Sequence, residues 1–371
     1  MKIVVIIPTY NEKANMEKMI PVLEGEVFPK IKGHEMEILV ADDGSPDGTR
    51  DVIEVYMKKY KNLHLIEGKK EGLGAAYARA MKNSMEELGA EAVIEFDADF
   101  QHDPHDIPKL IAAMDEGYDY VIGSRYIKGG QIPKEWGMDR KMLSIFGSLF
   151  TRIVWLTFSI HDMTSGFKLT KTSYLKQIDL DNLLSQDFAY KMHILHDVVK
   201  LGAKVKEVPI IFYERTEGAS KINKKDQLDS LYVVLRLRAR DSEKFLKFLV
   251  VGGFGFLINA IILRLLVDGA HWNPSLANLV GAVAAIFSNY NFNNLWTFNT
   301  NRAKTVGQYI IKLLQFYTTS AIGVIFIQTG TIFVGDSLIG RQFYFEYFLF
   351  GTFLLLIWNF TIYNKIIWKK K

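Results

Sequence analysis

The chain has 371 residues, more than one typical domain holds, and 49% of them are hydrophobic, with the excess gathered after position 245. A formal charge of only +4 argues against wholesale nucleic-acid binding. The absence of cysteine excludes disulfides, thiolate zinc sites and cysteine nucleophiles together.

Residues 2–7 form a strand that is wholly apolar after Lys2, too short for a signal peptide and ended by Pro8, so the first domain is expected to stay in the cytoplasm. The loop Pro8-Thr9-Tyr10-Asn11-Glu12 follows, then helical spacing over 15–27 on Met16, Met19, Ile20 and Leu23. A second strand over 37–41 runs into Asp42-Asp43-Gly44-Ser45-Pro46-Asp47-Gly48-Thr49. This loop is rich in turn residues, and Thr49 is placed to cap a helix over 50–60. A third strand covers 63–66. Gly72-Leu73-Gly74 then opens a helix over 75–88. It lacks the third glycine of a dinucleotide fingerprint and follows the wrong strand, so it reads as a helix-entry turn. The apolar run Ala92-Val93-Ile94 leads into Phe96, Asp97, Ala98, Asp99 and Gln101, with Pro104 soon after: a buried strand stopping at a loop. A helix over 108–116 and a strand over 118–122, ending at Gly123-Ser124-Arg125, complete the series.

Alternating strands and helices predict a parallel α/β sheet. Tyr10 and Glu12, Asp42 and Asp43, and Asp97, Asp99 and Gln101 then share one carboxyl edge, where a nucleotide would lie. Oxygen donors alternating over 97–101 suit a hard divalent cation that shares its shell with phosphates. Asp99 and Asp103 also fit turn-forming and capping roles ahead of Pro104. His102 and His105 read as loop residues, with no cysteine or helical histidine pair to make a metal site.

The motifs P-T-Y-N-E (8–12), D-D-G-S-P-D-G-T (42–49), G-L-G-A-A-Y (72–77), D-A-D-F-Q-H-D-P (97–104) and G-S-R-Y (123–126) resemble, in order, those of family-2 glycosyltransferases with a GT-A fold. The pattern is similar to the dolichyl-phosphate mannose synthases over roughly the first 225 residues. The resemblance implies that Pro8, Tyr10, Glu12, Val40 and Asp42 contact the nucleoside. It implies that Asp97, Asp99 and Gln101 hold Mg²⁺ or Mn²⁺ and, with Ala98, the sugar diphosphate. Asp99, Arg125 and Arg215 are the expected catalytic residues.

Over 139–160 a broad apolar face of Leu143, Phe146, Leu149, Phe150 and Ile153 is flanked by Arg140, Lys141 and Arg152. It fits a core helix or a helix lying in a membrane interface. A second such stretch covers 226–244, where Arg236, Arg238, Arg240 and Lys244 would attract anionic headgroups. Between them, residues 162–167, 207–209 and 215–221 resemble the family's D-x-x-S-G-F, E-x-P and R-x-x-G-x-S-K elements. In the last, Arg215 offers a fork, Gly218 permits close approach and Lys221 adds a point charge, which suits donor phosphates. Arg125, Arg140 and Ser144 are candidates for acceptor-phosphate or diphosphate contacts.

Residues 245–371 hold apolar stretches over 245–267, 275–296, 309–334 and 343–363, each near the ~20 residues that span a bilayer. Arg302, Lys304, Lys365 and Lys369 lie at one side of these stretches and essentially only Arg341 at the other. An integral, multi-pass membrane protein with both termini cytoplasmic is therefore expected. Residues 244–248 match 312–316, Gly255 matches Gly323, and Asn289 matches Asn359, implying two repeated hairpins. The region resembles the GtrA-type membrane domain.

A nucleotide-sugar site joined to membrane spans implies an acceptor that lives in the bilayer, and a polyprenyl phosphate fits. The expected reaction is inverting transfer of mannose from GDP-mannose to dolichyl (polyprenyl) phosphate at the cytoplasmic face, without nucleic acid. Physical reasoning alone reaches only a nucleotide sugar; guanine and mannose come from the resemblance. A glucosyltransferase using UDP-glucose, and a non-catalytic lipid-linked sugar translocase or scaffold, are the alternatives.

Overall fold

The structure, a computed structural model, describes residues 1–214 and 224–369. Chain contacts divide it into two units, Met1–Arg238 and Ala239–Lys371.

The first unit is built on seven strands: β1 (Lys2–Thr9), β2 (Glu35–Asp42), β3 (Leu63–Glu67), β4 (Ala92–Glu95), β5 (Tyr120–Ser124), β6 (Lys168–Lys171) and β7 (Val205–Pro209). They lie in the order β3-β2-β1-β4-β6-β5-β7. The continuous apolar run of β1 follows from burial on both faces. Ile3, Val5 and Ile7 enter one core while Val4 and Ile6 enter the other, as the two-residue period of a strand requires. The first core is covered by α1 (Lys13–Val22), α2 (Thr49–Lys59) and α4 (Ile107–Asp115), and the second by α3 (Leu73–Glu86) and α7 (Tyr190–Lys200). The short helix α6 (Thr172–Leu175) follows β6.

The sheet is mixed rather than wholly parallel. β6 runs antiparallel to both β4 and β5. The chain leaves β5 at its carboxyl end, forms α5 (Met138–Trp155), and re-enters the sheet at that same edge, where Lys168 pairs with both Glu95 and Ile122. No helix carries it across to the other end, so the next strand must run back. The local elements otherwise lie within a few residues of their predicted places, except that Thr49 is the first residue of α2 rather than its cap. Gly48, with φ 87°, occupies the cap position.

α5 stops at Leu156, whose φ of 56° is left-handed. Phe150, Val154 and Trp155 pack on the second core, but Met142, Leu143, Ile145, Phe146, Leu149 and Ile153 are exposed. The stretch expected over 226–244 is the start of one long helix, α8 (Lys224–Arg264), with Val233, Val234 and Leu237 buried in the second core and Leu228, Leu231 and Leu235 exposed.

In the second unit α9 (Pro274–Phe292), α10 (Val306–Ile322), α11 (Gly330–Leu338) and α12 (Tyr344–Ile362) follow. Among the described residues three segments are long and apolar enough to cross a membrane: Lys225–Gly269, Val306–Leu338 and Leu349–Ile367. π-helical turns at Asn293–Thr297 and Tyr363–Ile367 end α9 and α12. The residues after them, Phe298 and Trp368, share nearly the same backbone angles, and their rings stack at 4.6 Å and 6°. Gly255 and Gly281 lie so close to Asn289 and Asn259 that an added Cβ would sit 2.2 Å from each amide oxygen, the small-residue contact that lets membrane helices approach.

Ile94 is wholly buried at the centre of the sheet. Replacing it with Ala should cost about 2–5 kcal/mol and lower the melting temperature of the first unit by about 5–15 °C, read by thermal unfolding.

Candidate active site

β2, β1 and β4 are parallel neighbours in register, so the loops that follow them emerge side by side. Thr9 and Asp42 are paired residues at this edge, and the Thr9 hydroxyl donates to Asp42 Oδ1 at 2.8 Å. Ser45 donates to the same carboxylate through its N–H (2.8 Å) and its hydroxyl (2.5 Å), and Ser45 Oγ accepts the Asn11 N–H. Asp47 accepts from Thr49 and from the Lys13 N–H, while Thr49 Oγ1 accepts the Glu12 N–H. Asp42 and Asp47 thus tie two loops into one wall. Tyr10 is partly open on it, with the Lys70 ammonium 3.5 Å from its ring centre. Pro8 and Glu12 are also partly exposed here. Val40 is wholly buried in the first core, so only its backbone can face a ligand.

β4 delivers Asp97, Ala98, Asp99 and Gln101. Asp99 Oδ1 accepts the Gln101 N–H at 3.1 Å, across Phe100, which holds φ 58°. Asn11, after β1, holds φ 59°. Left-handed residues other than glycine are costly and concentrate at functional sites. The Gln101 side-chain nitrogen donates to the Tyr213 carbonyl, and the Tyr213 N–H returns to the Gln101 carbonyl, so the acidic loop is tied to the chain after β7. This arrangement orients the amide oxygen of Gln101 away from Tyr213. Asp97 is partly exposed, and its Oδ1 accepts from the Tyr77 hydroxyl at 2.9 Å. Two carboxylates and an amide oxygen are a hard donor set that fits Mg²⁺ or Mn²⁺. Among the described residues no three His, Asp or Glu side chains gather as a ligand cluster. A cation here would complete its shell with ligand phosphate oxygens and water.

Arg125 follows β5 at the same edge. Its Nε and Nη2 donate to the two oxygens of Asp162 at 2.8 and 2.7 Å, its N–H donates to Asp162 as well, and Nη2 reaches Thr164. Asp162 is 0% exposed and Arg125 8%. The guanidinium beside it holds the Asp162 carboxyl below the usual range against the opposing effect of burial. Asp162 is held in turn by Glu207, which accepts its N–H. The D-x-x-S-G-F and E-x-P motifs therefore orient Arg125. Tyr126 donates to Ser144 on α5 at 2.5 Å, and Arg140, one turn away, stacks 4.1 Å over Trp136. Arg215 and Lys221 lie outside the described residues.

Several groups at this edge carry no local signal in the sequence. Lys191 of α7 is 2% exposed; a Cβ built on Gly166 would meet its ammonium at 3.0 Å and Asp97 Oδ2 at 3.3 Å, so both cluster around that glycine. Burial lowers the Lys191 pKa, and Asp97 opposes the shift. Arg79 pairs with Asp43 at 2.5 Å, although burial still leaves the Asp43 pKa raised. His102 lies in the loop after β4, as expected, but is buried there among Phe96, Phe167 and Phe212, and burial lowers its pKa to about 3, so it is neutral at pH 7. His105 does sit in an exposed turn, donating its N–H to Asp103, which caps the 3-10 turn as expected.

Comparison with known proteins adds to this geometry. Residues 4–179 match the model of glycosyl transferase family 2, and residues 247–368 match the GtrA/DPMS transmembrane domain. A dolichol-phosphate mannosyltransferase of Pyrococcus furiosus is 33% identical over 328 residues, covering 88% of each chain. The chain belongs to glycosyltransferase family 2. An undecaprenyl-phosphate mannosyltransferase of Micrococcus luteus is 35% identical to this glycosyltransferase over 60% of its length and 88% of the relative's. A polyprenol monophosphomannose synthase of Mycolicibacterium smegmatis is 34% identical over 62% of its length and 84% of the relative's. The glycosyltransferase is an enzyme with a GT-A-like mixed sheet and a membrane domain of the GtrA/DPMS kind.

Breaking the Arg125–Asp162 pair leaves a buried charge unpaired. Asp162→Asn should cost about 3–5 kcal/mol and lower the melting temperature by about 6–15 °C. Arg125→Met combined with Asp162→Leu should regain most of that stability without regaining sugar transfer. Comparing melting temperature and turnover in the two variants separates the structural role of the pair from its chemical one.

Proposed function

We propose that the enzyme transfers mannose from GDP-mannose to the phosphate of dolichyl or another polyprenyl phosphate, with inversion, at the cytoplasmic membrane face. The observation that carries this reading is the similarity, along 88% of both chains, to a relative named for dolichol-phosphate mannose transfer. The site chemistry supports it. The acceptor phosphate is anionic at pH 7 and is already a nucleophile, so the site needs no general base to deprotonate it. The wall of Tyr10, Glu12 and Asp42 would hold the nucleoside, and Asp97, Asp99 and Gln101 would hold Mg²⁺ or Mn²⁺. When bound, that cation neutralises charge on the leaving nucleoside diphosphate.

The chain's own cations would do the rest. Arg125, its charge compensated and its orientation fixed by Asp162, would offer the rest of its guanidinium as a preorganised donor to a phosphate oxygen at this edge. Arg140 and Ser144 on α5 would contact the acceptor phosphate, and Arg215 and Lys221 the donor. The exposed apolar side of α5 would lie in the interface, with headgroups beside its Arg and Lys residues. In this reading the membrane domain has four spans, with α9 as the second and both termini cytoplasmic. A single displacement from an α-linked donor gives a β-linked lipid phosphosugar.

Two measurements test the proposal. Nucleoside diphosphate release on adding polyprenyl phosphate should require Mn²⁺ or Mg²⁺, and Asp99→Ala should abolish it while leaving the enzyme folded. Turnover retained in that variant would remove the cation site. GDP should protect the enzyme against thermal unfolding and UDP should not; the reverse result would reassign the donor.

A further inference from the structure

The G-L-G-A-A-Y motif has no part in the site as described so far except through its last residue. Gly72, at φ 124°, and Gly74 bring the start of α3 against residues 186–190: both the Gly74 and Ala75 N–H groups donate to the Gln186 carbonyl, at 2.7 and 3.1 Å. A Cβ on Gly72 would stand 2.4 Å from the Gln186 carbonyl oxygen, and one on Gly74 would stand 2.7 Å from Tyr190 Cβ. No larger residue fits at either position without moving α3. One turn into the helix this contact stacks the ring of Tyr77 on that of Tyr190, with centroids 5.2 Å apart and planes 20° apart. Both rings are buried.

Each stacked tyrosine donates its hydroxyl to a carboxylate of β4 or the residues just after it. Tyr190 reaches Glu95 at 2.6 Å and Tyr77 reaches Asp97 at 2.9 Å. Glu95 ends β4 and Asp97 lies two residues on, and the one tyrosine pair reaches both acids. Asp97 Oδ1 is taken by the phenol, and Oδ2 is the oxygen near Gly166.

We infer that Tyr77 is a positioning residue for Asp97, fixing which oxygen of that carboxylate is offered to a divalent cation, and that Gly72 and Gly74 exist to seat it there. The inference rests on the cation site proposed above. Partners that orient a metal ligand typically alter metal affinity by about 10–100-fold when removed.

The test is Mn²⁺ binding, read by the EPR signal of free Mn²⁺ during titration of the full-length enzyme in the presence of GDP. Tyr77→Phe keeps the ring and its stack, so its melting temperature should stay near that of the wild type while its Mn²⁺ affinity falls about 10–100-fold. Tyr190→Phe removes the donor to Glu95 alone and should leave Mn²⁺ affinity unchanged. If Tyr77→Phe binds as tightly as the wild type while Asp97→Asn does not bind, the inference is overturned and the cation site stands. Equal losses in Tyr77→Phe and Tyr190→Phe would also overturn it, assigning the pair to packing. If Asp97→Asn and Asp99→Asn bind like the wild type, the cation site itself falls and the role of Tyr77 with it.

Discussion

Everything at the candidate site depends on strand direction. β2, β1 and β4 run the same way in adjacent register, so three loops with no sequence proximity, 8–12, 42–49 and 97–103, meet at one edge. The reversal at β6 adds two more segments. Because the chain leaves and re-enters at that edge, Arg125 and residues 162–167 arrive there together, and Asp162 can clasp Arg125 with two parallel hydrogen bonds. Had β6 been parallel, its entry loop would lie at the far end of the sheet, away from the acids.

The site is also held from beneath. Glu95 and Lys168 are fully buried partners across neighbouring strands, and burial brings the Lys168 pKa down to about 8 while Glu95 resists the shift. Lys191 adds a third buried ionisable group. Charges placed this deep are expensive unless neighbours compensate them. Here the compensation comes from an alternation of acids, lysines and tyrosine hydroxyls immediately behind the oxygen donors. That layer fixes the donors rigidly, as a preorganised electrostatic site requires.

Much of this was legible in the sequence, for reasons of locality. Strands β1, β2 and β4 announce themselves as apolar runs, and Asp42, Asp97, Asp99 and Gln101 follow them directly, so one assumption about sheet edges collects them. What escaped was set by tertiary contact. The antiparallel β6 is four residues long, with lysine at both ends, and has no local mark of direction. Lys191 looks like any polar residue in a helix, and only the fold shows it beside Asp97. Arg79 and Tyr77 lie on α3, and their carboxylate partners are 36 and 20 residues away. Thr49 looked like a helix cap because threonine often is one; Gly48 took that position and freed the hydroxyl to join two loops. His102 is in a loop, as the sequence suggests, but its burial shows only in the three phenylalanine rings around it.

The outward side of α5 has a practical consequence. Phe146, Leu149 and Ile153 belong to the unit that carries the candidate site, not to the apolar helices of the second unit, and among the described residues of their own unit nothing covers them. Cutting away the spans would therefore not yield a freely water-soluble catalyst. The shortened protein would still carry a greasy strip of its own, and would self-associate or seek detergent micelles until something apolar covered it.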